Sequence, residues 1–449
     1  MMSVFRSFFA MSFFCLTGAY SQPQQSADEQ TSKERNIFFE AVPIFGEDTS
    51  KAYVSFHYRI NKNFFVFIKN RENVQDEYVA RGELIVELLN EQGVSVGREI
   101  KPIYLTHATL PSPNDPPSDI QGAMLFTVPD GTLNIVFEVD DKESGRSFVE
   151  KKQTVSTRRP FLKPLEVSIP FLVKIVPPGN GAARFEVINR SLEVVYGTKC
   201  GYFLQMYVPE NERAIQIRWK LEGRRDDRFQ ERHEASGTDF TLTPGIPKMS
   251  TEDSRITCET VPSHYSWKAA YIPLPVEGLE TGFYFVELEI ALGEHKTTLK
   301  RSFRVFWPNK PFSLNSFDVA VDALRLIARE EEVDEMYGFT SVRGFEKFKD
   351  FWRKRDPDTL TAYNEVMAEY YRRVDESLRR FSSPKENDGY KTDRGRIYVL
   401  YGSPTSTERL LPPNSTPTEI WTYQNIRRRF IFNDPVRNGN YVLSQTESF

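Results

Sequence analysis

From Ile37 onward the apolar residues come in short runs parted by turn residues, a texture that predicts strands. Runs at 52–58, 64–68, 83–89 and 133–139 follow one another, with a polar turn over 142–146 before Phe148. Many short strands at regular spacing indicate a sandwich or barrel. The stretch 158–164, with proline near each end, reads as a linker, and a second run of strands opens near Leu165 and includes 171–176. Its clearest pair comes last: a glycine turn at 278–282 leads into a strand over 283–289, and Gly293 turns the chain into 297–306. Between these, residues 224–263 are rich in charge and poor in period, which predicts a loop insertion or flap.

After Trp307 and Pro308 the period lengthens to that of a helix. Phe317, Ala320, Val321, Leu324 and Ile327 mark a first helix, with Ser313 or Asn315 placed to cap it. Phe345, Phe348 and Trp352 mark a second, with Gly338 and Gly344 punctuating its approach. Tyr363, Val366, Met367, Tyr370, Val374 and Leu378 share one face of a third. These stripes predict core positions. Strands return at 396–401, 419–423, 429–432 and 441–443, with turn residues at 433–435 and 438–440 between the last two. The predicted architecture is therefore multidomain. Two all-β, immunoglobulin-like sandwich modules (37–157 and 165–307) precede an α+β C-terminal domain (313–449) of three helices and a small antiparallel sheet.

The N-terminus predicts the compartment. Arg6 is the only charge ahead of an apolar run over 8–16, and Ala19 and Ser21 supply the small residues that a signal peptidase reads. Residues 1–21 thus read as a signal peptide cleaved before Gln22, and the apolar run is too short for a membrane helix, which needs about 20 residues. Phe13 and Phe14 are too bulky for a lipoprotein box ahead of Cys15. Residues 22–36 have the composition of a disordered leader. The expectation is a periplasmic or secreted protein with no membrane span once the signal is removed.

Export gives the cysteines a meaning. Once Cys15 has left with the signal, Cys200 and Cys258 remain, and an oxidising compartment favours a disulfide between them. A metal or redox pair would want a shorter spacing or neighbouring histidines. Aromatic residues make up 13% of the chain, with 35 Phe and 20 Tyr, which suits packed strands. The net charge of -4 is too small to point to nucleic acid or an anionic membrane as partner.

The densest chemistry lies in 387–396, where Gly389, Tyr390, Thr392, Asp393, Arg394, Gly395 and Arg396 crowd two glycines, an acid and two arginines together. The stretch resembles the motif of the GWxTD domain, a family of bacterial exported proteins, with Tyr390 standing where the family name has tryptophan. Residues 351–357 together with Asn364 and Glu365 resemble the region ahead of that motif, so the likeness runs from Phe345 to the C-terminus. The family usually places an acid after the Gly-x-Pro that follows, where this chain has Thr405 behind Gly402, Ser403 and Pro404. The resemblance implies an envelope protein and transfers no activity.

The five histidines, His57, His107, His233, His264 and His295, all precede the helices, and the C-terminal domain has no cysteine. That domain therefore offers neither a histidine-activated nucleophile nor a histidine zinc site. No Walker-type phosphate loop occurs, and no metal or cofactor is expected. Carboxylate chemistry stays open: two of Glu365, Asp393 and Glu419 could form an acid/base pair, as in glycosidases. The structural alternative has Asp393 closing its own turn, with Arg394 and Arg396 paired to Glu365, Glu369 or Asp375 on the third helix. Two classes follow. One is a non-catalytic binding or scaffold protein acting on an envelope protein or glycan partner; the other is a carboxylate-dependent envelope enzyme acting on a glycan.

Overall fold

Along the strand Ala52–Asn61, Ala52, Val54, Phe56, Tyr58 and Ile60 enter one core while the residues between them face the other way. The same alternation organises most of the chain. The computed structural model describes residues 37–71, 78–111, 118–160, 164–176, 184–190, 192–208, 215–225, 232–252, 255–337, 341–359, 362–383, 385–411 and 415–449. The expected signal peptide and leader lie outside the described residues, as does part of the 158–164 linker.

Two facing sheets enclose the first core. One is antiparallel and three-stranded, built from Ile37–Ile44, Ala52–Asn61 and Asp119–Val128. The other combines Ile68–Lys69, Tyr78–Leu89, Ser95–His107, Gly131–Asp141 and Ser147–Thr157. Phe39 and Phe137 meet across the gap with ring centroids 4.6 Å apart. The strand expected over 64–68 is instead a 3-10 turn, Lys62–Phe64, followed by the two-residue strand Ile68–Lys69.

The second core lies between an eight-stranded and a five-stranded sheet. Tyr202, Leu204 and Met206 of the strand Gly201–Tyr207 meet Tyr284, Val286 and Leu288 of the strand Gly282–Leu292 there. The flap expected over 224–263 is corrected: strands Arg232–Gly237, Thr241–Pro244, Ile246–Glu252 and Arg255–Val261 occupy it. Three of these are edge strands, with a face or an edge in water, so their polar content obscures the period.

The outer faces of the two modules are fused. Val42 and Ile44 leave the first core and join Phe171, Val173, Phe185, Phe203 and Tyr271 of the eight-stranded sheet. Gln205, fully buried, ties the faces together: Phe45 N donates to its Oε1 at 2.9 Å and its Nε2 donates to Phe45 O at 2.7 Å. His57 sits at this junction with 0% exposure, its Nε2 2.9 Å from Ser55 Oγ and its ring 6.1 Å from Phe171. The described residues from Ile37 onward thus pack as one unit.

The expected Cys200–Cys258 disulfide is absent. Both are buried thiols, but Cys258 belongs to the junction cluster and Cys200 to the core on the opposite face of the same sheet. A sheet separates their side chains, and loop length alone cannot bring them together.

The C-terminal region has five helices: α1 (Phe317–Ala323), α2 (Glu330–Tyr337), α3 (Ser341–Arg353), α4 (Glu365–Phe381) and α5 (Asp393–Tyr401). Ser316 caps α1, one residue past the expected Asn315. The largest correction is α5, which occupies the strand expected at 396–401. Thr392 caps it and Gly402, at φ 78°, ends it. An antiparallel sheet follows in the order Ser406–Leu410, Thr418–Tyr423, Arg428–Asn433, Val442–Ser448. Phe381 and Tyr398 cover it, packing on Trp421, Tyr423, Phe430 and Phe432. Tyr196 anchors the region to the second module by donating to Ala362 O at 2.6 Å and stacking on Trp307 at 5.2 Å. Among the described residues no helix is long and apolar enough to cross a membrane.

Two measurements follow from the junction. Thiol labelling of native protein should leave Cys200 and Cys258 unmodified, and denatured, unreduced protein should label both; a disulfide-linked peptide in the digest would contradict the separation. Burial also holds the His57 pKa down at about 4, whereas an unfolded histidine titrates near 6.5. The unfolded chain then binds more protons between those values, so stability falls as pH drops from about 6.5 to about 4, by an amount on the order of 3 kcal/mol. Glu40, facing His57 across the strand pair, is shifted upward by burial, partly offset by Arg301, and acts in the opposite sense. Melting curves of wild type and His57→Gln across this range isolate the histidine contribution; parallel curves would refute it.

Candidate functional site

Backbone contact, not side-chain chemistry, sets the motif. The 3-10 turn Gly389–Lys391 runs against the C-terminal half of α4, and α5 turns back onto it. A Cβ on Gly395 would lie 1.8 Å from Gly389 O, and one on Gly389 would lie 2.0 Å from Ser377 O. Only glycine fits at either position. Thr392 locks the turn, accepting from Gly395 N at 3.1 Å and donating to Gly389 O at 2.7 Å.

The side chains then fasten this corner to its neighbours. Tyr390 donates to Asp322 of α1 at 2.8 Å, and Lys391 reaches both Asp322 and Asp388 at 2.8 Å. Burial opposes the charge on Asp322, yet the bonds from Lys391 and Tyr390 win and hold its carboxyl below the usual value. Burial, reinforced by that carboxylate, pushes the Tyr390 hydroxyl well above its usual value. Asp393 accepts from Leu443 N at 2.8 Å, joining the start of α5 to the last strand.

Arg394 is the buried member. Its Nη1 lies 3.1 Å from Glu419 and its Nη2 donates to Gly439 O at 3.0 Å, while Tyr441 stacks on it at 4.3 Å. Glu419 is 3% exposed, also accepts from Trp421 Nε1 at 2.8 Å, and lies 3.6 Å from Arg409. Burial pulls the Arg394 guanidinium down from its ordinary value against the opposing effect of Glu419.

The expected pairing of Arg394 and Arg396 with carboxylates of α4 is not found. Arg394 takes Glu419, not a carboxylate of α4. Glu369 pairs with Arg372 and Arg373, and Asp375 accepts from Phe312 N and Ser313 N at 2.7 and 3.0 Å. Arg396 is exposed, and no ion pair to it occurs among the described residues. Glu365 is exposed in the first turn of α4, beside Val399 and Leu400 at the far end of α5 from Asp393. The three carboxylates therefore do not converge. Asp322, Tyr441 and the Gly439 carbonyl carry no signal in the sequence, because only the fold brings them within reach.

No group of three or more His, Cys, Asp and Glu side chains placed to hold a metal ion occurs among the described residues. Ser55 and His57 form a serine-histidine contact, but both are sealed inside the module junction, where no substrate reaches.

The GWxTD domain family matches residues 282–449. The match opens at Gly282 and so takes in the last hairpin of the second module, upstream of Phe345, where the motif likeness begins. No curated protein matches the chain. Among the solved structures that share part of it are two at 10% identity. A family 123 glycoside hydrolase from Clostridium perfringens aligns over 37% of this chain and 32% of its own, with a TM-score of 0.16. The collagen adhesin CNA from S. aureus aligns over 60% of this chain and 91% of its own, with a TM-score of 0.13. This chain thus spans about a third of that hydrolase. Scores this low carry no argument about fold or activity.

Four substitutions rank the corner. Gly395→Ala should destabilise by about 3 kcal/mol, since backbone must move to admit a methyl group. Glu419→Ala should cost about 3–5 kcal/mol by leaving Arg394 buried and unpaired. Asp393→Ala should cost about 1–3 kcal/mol for the orphaned Leu443 N–H, and Arg396→Ala should stay within about 0.5 kcal/mol. Denaturant melts of the full chain check the order; an Arg396 effect as large as that of Glu419 would overturn it.

Proposed function

Residues 282–449 of this chain are a GWxTD domain, and from that premise we propose a non-catalytic binding or scaffold protein, exported to the cell envelope, whose β modules present that domain to a partner. One observation carries the reading. The motif side chains Tyr390, Thr392, Asp393 and Arg394 all bond to groups of this protein itself. Catalytic carboxylates need to share an open cleft, and glycosidase pairs stand about 5–10 Å apart across the bond they cleave. Here Glu419 is buried against an arginine, and Glu365 lies at the other end of α5 from Asp393. We take each β module as immunoglobulin-like, a reading supported by two facing, mostly antiparallel sheets around one core. Export rests on the apolar run and small residues ahead of Gln22.

Crosslinking in intact cells, followed by affinity purification of the full chain, tests the proposal. Specific envelope proteins or glycans should be recovered by the wild-type chain. Purified protein should release no reducing ends from envelope glycans. Release by wild type that disappears in Glu365→Gln or Asp393→Asn would establish the enzyme instead.

A further inference from the structure

Scattered exposed aliphatic side chains are ordinary on a protein surface, but converging ones mark contact sites. Ile327, Val366 and Leu400 are 37%, 44% and 39% exposed and line a single groove of about 450 Å³ between α4 and α5. Val399 and Tyr370 also line it. The Tyr370 hydroxyl is taken by Ala323 O, so its ring offers the groove an apolar surface.

One acid of the groove lining lacks a direct partner. Three charged residues line it: Glu365, Glu369 and Arg373. Arg373 donates to Glu369 at 2.6 Å and also reaches the Val399 and Leu400 carbonyls at 3.3 and 3.4 Å, and Arg372, outside the lining, pairs with Glu369 as well. Glu365 is exposed and makes no ion pair among the described residues. The groove is therefore aliphatic, with one carboxylate at its edge, Glu365, that has no direct ion-pair partner among the described residues. Ile327, Val366 and Leu400 on its walls are a third or more exposed, so it is too shallow to enclose a small molecule, which a ligand site would bury by 70–90%. It suits the side chains of a segment held in place by a larger body.

We propose that this groove docks a partner-protein segment carrying two or three aliphatic side chains next to a lysine or arginine that pairs with Glu365. The proposal rests on the binding reading above and names its surface. The motif then serves binding indirectly, since Thr392, Gly395 and the Arg394–Glu419 pair fix α5, and α5 carries Leu400 into the groove wall.

The test uses the full chain and two fluorescein-labelled, capped heptapeptides, one of leucine pairs separated by lysine and the same peptide with glutamate for lysine. By fluorescence anisotropy the lysine peptide should bind at least ten-fold tighter than the glutamate peptide. Val366→Asp should weaken it at least ten-fold, and Glu365→Lys should reverse the preference between the two peptides. Both substitutions are at exposed positions, and an unchanged melting temperature verifies folding. Equal binding of the two peptides, no binding of either at millimolar concentration, or an unchanged preference in Glu365→Lys would overturn the proposal. Crosslinked partners recovered equally by wild type and Val366→Asp would sink the groove and leave the binding reading standing. Recovery of none by either protein would sink both.

Discussion

Three stretches of backbone meet where no side chain fits: the end of α4 at Ser377, the turn at Gly389 and the first turn of α5 at Gly395. The arrangement of the C-terminal region follows from that contact. With the carbonyls of Ser377 and Gly389 occupying the space of two absent Cβ atoms, α5 can start only in one place and leave only in one direction. Its buried face then covers Trp421 of the sheet through Tyr398, and its exposed face supplies Leu400 to the groove. Polar bonds from Thr392 and Asp393 secure this placement, but the steric constraint comes first, because no hydrogen bond would form if the backbones stood a methyl group further apart.

The rest of the chain extends this rigidity instead of hinging around it. Linkers between domains usually cross few contacts, which permits relative motion. Here the outer face of one sheet is the core of the next junction: Val42 and Ile44 lie with Phe203 and Tyr271, and Gln205 replaces a strand partner for Phe45. Tyr196 and Asp375 perform the same service further along, the first gripping Ala362 and the second the backbone of Phe312 and Ser313. Each device joins residues far apart in sequence through a buried polar group that would be costly to leave unpaired.

That distance explains what can be read from the residues. Strands whose alternation serves one core, such as Ala52–Asn61 and Gly282–Leu292, are legible, and so are α3 and α4 from their apolar stripes. Edge strands such as Arg232–Gly237 are not, since water on one side removes the pattern. The stretch 396–401 misleads because Ile397, Tyr398, Val399, Leu400 and Tyr401 are apolar on every side and rich in strand-favouring residues. The Thr392 cap, the acid in the first turn and Gly402 beyond the end are the signals that outrank it. Glu419 stands out in the sequence as a carboxylate candidate, but its pairing with Arg394 depends on a sheet register that sequence spacing does not encode. The disulfide fails for a related reason, because two cysteines on opposite faces of one sheet look no different in sequence from two on the same face.

The Arg394–Glu419 pair raises the question of why an ion pair is buried at all. A buried pair gains little net stability over apolar residues of the same shape, because desolvation consumes most of the Coulombic attraction. Its distinctive contribution is direction. The planar guanidinium has donors in a fixed fork, and here they engage the Glu419 carboxylate on one strand and the Gly439 carbonyl in the turn beyond another, with Tyr441 stacked on its face. A leucine could fill that space with α5 slid or rotated along the sheet, whereas the fork is satisfied in a single alignment. The glycines decide how closely α5 approaches, and Arg394 decides its rotation. Together they place Leu400 beside Val366 without either residue touching whatever the groove receives.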